Sequence, residues 1–214
     1  RLKQIIESLR PINRELARAD TRAAIDRQVC ERLAASEAYL FAWIGDYNSA
    51  VGEITPRTWA GVEEGFVRQL DLDLAEEEAG DDVFQRAVAE GEVQVVRDIS
   101  TAPTPDARQE RALTYGFQSQ AVIPVVYGTT VFGVIGLYSA RPDAFDEYEQ
   151  GLLLEFGERV GHAINAAENR QLLHTDTVVE LEFEVGAVDS PAVAVAADLD
   201  CRLSLNSVTP AASE

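Results

Sequence analysis

Side chains able to do covalent or metal chemistry are few in this chain. The two cysteines, Cys30 and Cys201, are far apart and form no Cys-X-X-Cys or zinc-type spacing, which predicts two buried thiols and no metal or redox centre. The two histidines, His162 and His174, fall on or beside one long helical pattern, where a lone imidazole is more often packed or solvated than a ligand. There is no Gly-X-Ser-X-Gly elbow, phosphate-binding glycine loop or dinucleotide fingerprint. With 37 Asp and Glu, no single pair of carboxylates stands out. The expectation is a non-enzyme with no catalytic residue, no metal site and no resident cofactor. What remains is aromatic. Tyr39, Phe41 and Trp43 alternate onto one face of a first apolar strand, and Trp59, Phe84, Tyr115 and Phe117 follow on later elements. Such rings either fill a core or wall a binding cavity. Arg57 and Ser119 either orient a polar ligand or serve surface and backbone-capping roles.

The elements that must position these residues are legible from periodicity. Leu2, Ile5, Leu9, Ile12 and Leu16 recur at spacings of three and four, an a/d seam interrupted by Pro11, and predict a helix that either packs on the domain or dimerises. A second helix runs from Thr21, capped by Asp20, to Ala35, with Ile25, Val29 and Leu33 on one face. Residues 38–44 form a strand, and residues 53–59 its partner across a polar turn from Gly45 to Gly52. Pro56 cannot donate to a ladder, which puts the second strand at a sheet edge. An acid-rich loop, residues 71–82, precedes a short helix that starts at Asp81 and stops at Gly91; a short strand follows over 92–97. Thr104-Pro105 opens a further helix that closes at Gly116.

Residues 118–127 and 130–139 read as a hairpin whose Gly128 supplies the positive φ of a two-residue turn. Both strands are apolar on both faces, so they belong at the centre of a sheet covered on each side. Asp146 and Glu149 form a capping box for a long helix reaching Leu173 and presenting Leu152, Phe156, Val160, Ala163, Ile164 and Ala167. At 1.5 Å per residue it is roughly 39 Å long, more than a compact domain needs, which suggests that it carries a signal or a dimer contact. After Thr175 a β-α-β pattern begins and is cut off at Glu214. The predicted class is α+β: a central antiparallel sheet with helices on both sides, then the truncated start of a second domain. Residues 1–20 form a linker or dimerisation helix, 21–173 the sheet domain and 174–214 the second domain.

Of 214 residues 46% are hydrophobic, sufficient for a substantial core. No segment approaches the roughly 18 consecutive apolar residues of a membrane span, and the expectation is a cytoplasmic chain with no membrane partner. The formal charge is −19, and Lys3 is the only lysine. Backbone contact with nucleic acid needs a basic patch, so this segment is not expected to hold DNA itself. Excess acid with arginine in place of lysine fits a halophile, because at molar salt the Debye length falls to about 3 Å and carboxylate repulsion is screened. The lack of any methionine predicts a piece of a longer protein.

Several stretches together carry a family resemblance: "FAWIG", "ITPRTWAG", "GEVQVVRDI", "YGFQSQAVIPVVYGTTVFGVIGLYSARPDAFDEYE" and "ERVGHAINAAENRQLLHTDTVVELEF". They resemble the GAF sensor domain of haloarchaeal regulators similar to the bacterio-opsin activator, over residues 12–183. The resemblance implies a GAF fold in which Trp43, Arg57, Trp59, Phe84, Tyr115, Phe117 and Ser119 come round a cavity for an unknown small molecule. It implies that DNA is reached only by a helix-turn-helix missing from this chain, while the two helical stripes predict a homodimer through residues 2–16 and 152–167. The stretch "LAEEEAGDDVFQRA" departs from the family, whose members carry glycines before the short helix, so a shared ligand does not carry over. GAF proteins that reduce methionine sulfoxide or hold bilins need cysteines in the cavity region, where neither Cys30 nor Cys201 falls. Cyclic-nucleotide receptors share an Asn-Lys…Phe…Asp-Glu set; Phe145, Asp146 and Glu147 echo its end, but the lysine is missing. The alternative function is a ligand-free scaffold for dimerisation or partner docking.

Overall fold

The structure is a computed structural model that describes residues 16, 19–36, 38–61, 66–67, 82–101 and 107–174. The chain divides into two units, residues 1–175 and 176–214, and all described residues belong to the first. The β-α-β pattern after Thr175, the Thr104-Pro105 helix start, and Leu2, Ile5, Leu9 and Ile12 lie outside the described residues.

In chain order the elements are α1 (Arg22–Ala34), β1 (Phe41–Asn48), β2 (Glu53–Gly61), α2 (Val83–Glu90), β3 (Gln94–Val96), a 3-10 turn (Ile99–Thr101), α3 (Ala107–Thr114), β4 (Ser119–Tyr127), β5 (Thr130–Ser139) and α4 (Glu147–His174). One sheet holds all five strands in the order β2-β1-β5-β4-β3, with every neighbouring pair antiparallel. The doubly apolar hairpin supplies β4 and the central strand β5. Its turn has Gly128 at φ +61, a conformation that costs glycine nothing. Pro56 lies on the edge strand β2, where its missing N–H breaks no ladder.

Strand alternation builds two cores. Ala42 and Ile44 of β1, Ala121, Ile123 and Val125 of β4, and Ile135 and Leu137 of β5 face α1 and α4. Phe41 and Trp43, Val122, and Val134 and Tyr138 face the other way, toward Phe84 and Ala87 of α2 and Ala112 of α3. The helices therefore cover both sides.

Capping shifts one expectation by a single residue. Thr21 rather than Asp20 caps α1, with its Oγ1 accepting from the Ala24 N–H at 3.3 Å. Asp82 caps α2, accepting from the N–H groups of Phe84 at 2.6 Å and Gln85 at 3.0 Å, while Asp81, the expected helix start, lies outside the described residues. α4 starts as expected, the Asp146 carboxylate accepting from Glu149 N–H at 2.8 Å. The Glu149 side chain is buried and accepts from the Tyr39 hydroxyl at 2.8 Å. Tyr39 thus belongs to the α4 side, stacked on Phe145, and not to the Phe41 and Trp43 face. It precedes β1, so strand alternation does not extend to it.

The apolar stripe of α4, expected to contribute to a dimer seam, packs within the chain. Phe156, Val160, Ile164 and Ala167 are at most 2% exposed and pack against the sheet of their own subunit, as does Leu16. Leu152 is half-buried against the same core. A side chain already buried within one subunit has no apolar surface to offer a second. The apolar stripe marks the intramolecular face of α4.

That helix lies unusually close to β4. A Cβ added at Gly157 would fall 2.3 Å from the Pro124 carbonyl oxygen, and one at Gly161 2.2 Å from that of Val126. Glycines four apart share a helix face, so the backbone of α4 rests on the backbone of β4.

Candidate functional site

Five of the seven residues expected round a cavity share the α2/α3 face of the sheet. Trp43, Phe84 and Phe117 are buried there, and Trp59 and Tyr115 are half-buried against them. The cross-strand pair Trp43 and Trp59 sets the β1/β2 side. The Trp43 indole extends over the central strand, where Gly136 makes room: a Cβ there would fall 2.2 Å from Nε1. Phe84 packs on Trp43 with centroids 5.7 Å apart. Its helix is anchored through the Asp82 cap, which also binds Arg108 of α3, and the Arg108 guanidinium lies 5.6 Å over the Phe84 ring.

Sequence reasoning overlooked the residues that organise this face. Phe66 touches Phe41, Tyr115, Phe117 and Tyr138, with ring centroids 5.2–5.6 Å apart and mostly edge-on geometry. Phe117 and Tyr138 lie 4.9 Å apart. Tyr138 had a usable signal, since it pairs with Phe41 in an alternating strand. Phe66 follows the end of β2 and had none. Gln120, a lone amide at the start of a buried apolar strand, was also readable; it is 5% exposed and lies on this same face.

Arg57 and Ser119 belong elsewhere. Ser119 is buried, and its Oγ donates to the Arg141 carbonyl at 2.7 Å, closing the loop after β5. Arg57 is the extra residue of a bulge: Ile44 pairs with Thr58 and Gly45 with Pro56, so Arg57 is skipped. The bulge aims it at α1. Its Nε donates to Asp26 Oδ2 at 2.8 Å and its Nη1 to Asp46 Oδ2 at 2.6 Å. Arg22 binds the other oxygens of both carboxylates, at 3.1 Å and 2.6 Å, and reaches Glu168 of α4 at 3.4 Å. The hydrogen bond that Arg57 donates to Asp26 raises the Arg57 pKa, ahead of the smaller opposing effect of burial. Asp26 is fully buried, so this network fastens α1, the bulge and α4 on the side away from the rings.

Cys30 packs in the same layer, its thiol donating to the Thr58 carbonyl at 3.3 Å. Burial pushes the thiol well above its ordinary range, and the charge of Asp26 adds to the shift. The folded state therefore keeps a proton that the unfolded chain loses. The resulting stability is intact below the unfolded thiol pKa of about 8.5 and declines as pH rises above it. In a Cys201→Ser background, maleimide labelling of Cys30 is expected to track global unfolding in denaturant. Cys30→Ala is expected to flatten the loss of stability between about pH 9 and 10. Fast labelling of the folded protein would contradict both.

An open cleft of about 640 Å³ lies between α2 and the two hairpin ends, lined in part by Tyr47, Ser49, Gln85, Val88, Thr129 and Thr130. Among the described residues no cluster of His, Cys, Asp or Glu is placed to hold a metal, and no helix is long and apolar enough to cross a membrane.

Known proteins share this architecture. The GAF domain family profile matches residues 19–165, and that of BAT, the "GAF and HTH_10 associated domain", matches residues 176–214. The chain is 34% identical over 98% of its length to a Haloferax volcanii protein assigned as a transcriptional regulator. It is 29% identical over 79% of its length to the bacterioopsin transcriptional activator of Halobacterium salinarum. It spans only 34% and 24% of those two relatives. In fold it is similar to the free methionine-R-sulfoxide reductase of Neisseria meningitidis, solved with its substrate, at TM-score 0.63 and 18% identity over 78% of this chain and 91% of that one. The GAF domain of a Coxiella burnetii phosphoenolpyruvate-protein phosphotransferase gives TM-score 0.63 at 17% identity, over 79% and 98%. An antiparallel five-stranded sheet walled by helices on both faces, with a BAT segment following α4 in sequence, makes this chain a member of the GAF domain family related to haloarchaeal transcriptional regulators.

Proposed function

We infer that this chain is the small-molecule-sensing module of a haloarchaeal transcriptional regulator working in a salt-rich cytoplasm, with no catalysis of its own. One observation carries the reading: Trp43, Trp59, Phe84, Tyr115 and Phe117 gather on one sheet face, while α4 closes the other and runs on in sequence toward the BAT segment. A molecule bound among the rings can act only if its affinity differs between two arrangements of the domain. The arginine-carboxylate network ties the β2 bulge to α1 and α4 on the far side of the sheet from the rings, so a change at the rings would reach α4 through the strands themselves. DNA contact falls to a helix-turn-helix outside this chain, consistent with a charge of −19 that disfavours phosphate backbones. Homodimerisation, with α4 committed to its own core, rests on Leu2, Ile5, Leu9 and Ile12.

The test is a thermal-shift screen of metabolites at molar KCl. A ligand at 100 times its Kd is expected to add about 2.7 kcal/mol of stability. A silent library overturns the sensing role, and light scattering at the mass of one chain overturns the dimer. A second reading, a ligand-free scaffold, is favoured by the ring-to-ring packing of Phe66 with Phe41, Phe117 and Tyr138, which already occupies part of the face.

A further inference from the structure

The cleft between α2 and the two hairpin ends has no part in the reading above. Its volume of about 640 Å³ lies within the roughly 300–1,000 Å³ of small-molecule sites, and it opens to solvent. Hydroxyl-bearing residues line it from both hairpin ends, Tyr47 and Ser49 on one and Thr129 and Thr130 on the other, and α2 contributes Gln85. A hydroxyl both donates and accepts, and a carboxamide does so through separate atoms. Tyr47 and Val88 also pack on the aromatic core, and Val131 adds aliphatic surface, so the polar groups stand beside apolar ones. The cleft also adjoins the network that holds α4. Asp46 precedes Tyr47 in β1, and successive strand residues face opposite sides. Asp46 binds Arg22 and Arg57 at 2.6 Å each on the α1 side, and Arg22 reaches Glu168 of α4. One strand end therefore walls the cleft on one face and is tied to the long helix through the other.

We propose that this cleft binds a neutral sugar. A sugar ring carries hydroxyls that donate and accept along its rim and C–H groups across its faces, the same two kinds of surface that line the cleft. Ser49, Thr129, Thr130 and Gln85 take the hydroxyls. The Tyr47 ring and Val88 lie against a C–H face. The site is distinct from the ring face and goes beyond the reading given there. Through Asp46 it meets the α4 network directly, whereas the rings reach α4 only through the strands.

The test is isothermal titration calorimetry of the 214-residue chain in molar KCl with glucose, galactose, mannose and maltose, and with gluconate and glucose 6-phosphate as charged counterparts. Calorimetry is chosen because sugars raise melting temperatures through exclusion from the protein surface, without occupying a site. The expected result is saturable binding of at least one neutral sugar at millimolar concentration, tighter than that of either charged counterpart. Ala89→Trp, at an exposed position of α2 on the cleft, fills the space and is expected to abolish binding. Thr130→Val keeps the side-chain shape, removes one hydroxyl and is expected to weaken binding about fivefold, the equivalent of one hydrogen bond. Both positions are exposed, so each ligand-free variant is expected to melt within about 2 °C of the parent. No saturable binding of any neutral sugar, tighter binding of a charged counterpart, or binding unchanged in both variants overturns the proposal. Tyr115→Leu, on the ring face, separates the two sites. Sugar binding lost in that variant and kept in Ala89→Trp would move the ligand to the rings, overturning the cleft while the sensing role stands.

Discussion

Gly161→Ala is expected to destabilise the domain by about 3 kcal/mol, although the same substitution in an ordinary helix interior stabilises by roughly 1 kcal/mol. The sign is decided by what the new methyl meets. At Gly161 it would lie 2.2 Å from the Val126 carbonyl oxygen and 2.5 Å from its carbon, and backbone atoms in a ladder cannot rotate aside. The helix must lift from β4, loosening Phe156, Val160 and Ile164 where they pack on the sheet. Gly157→Ala meets the Pro124 carbonyl in the same way. Gly151, on the same helix, has nothing within 4 Å of an added Cβ, and Gly151→Ala is expected to show the ordinary stabilising effect. Denaturant midpoints of the three variants check this; a Gly161→Ala protein as stable as Gly151→Ala would mean that α4 does not rest on the β4 backbone.

Asp26→Asn is expected to cost about 3 kcal/mol, at the lower end for breaking a buried ion pair because Arg22 and Arg57 keep Asp46 as a shared partner. Asparagine preserves the shape but offers one acceptor oxygen where two guanidiniums now bind, at 3.1 Å and 2.8 Å. Salt separates this pair from those at the surface. Asp26 is fully buried, so molar KCl cannot screen it, and the loss is expected at low and high salt alike. The exposed Arg159 and Glu155 pair, 54% and 63% exposed, supplies the contrast: Glu155→Gln is expected to change stability by less than about 0.5 kcal/mol and by nothing at high salt. Denaturation curves in dilute and in molar KCl test both. An Asp26→Asn penalty that vanishes in salt would place the network at the surface in energetic terms.

The two glycines of α4 show where sequence reading stopped. A periodic stripe reports only that one face of a helix is buried, and Phe156, Val160 and Ile164 would show the same spacing against a sheet or against a second helix. On those grounds the partner of the stripe was open, and the close approach to β4 shows that these side chains pack on the sheet of their own chain. Gly157 and Gly161 had been signals in plain view, since small residues one turn apart permit backbone contact.

Local rules determined much of this protein without coordinates. Alternation placed Phe41 and Trp43 on one face, the lack of a proline N–H put β2 at the edge, glycine's tolerance of positive φ fixed the hairpin turn, and a carboxylate at Asp146 began the long helix. Each is a property of a few neighbouring residues. Which face met which was decided by tertiary structure alone. One skipped residue in the β1/β2 register turned Arg57 from the ring face to Asp26, and Phe66, beyond any strand pattern, became the centre of the aromatic cluster. The reason is physical: a bulge reverses side-chain direction through pairing with another strand, and a loop residue gains its neighbours only when distant segments close around it, so neither leaves a local trace in the chain.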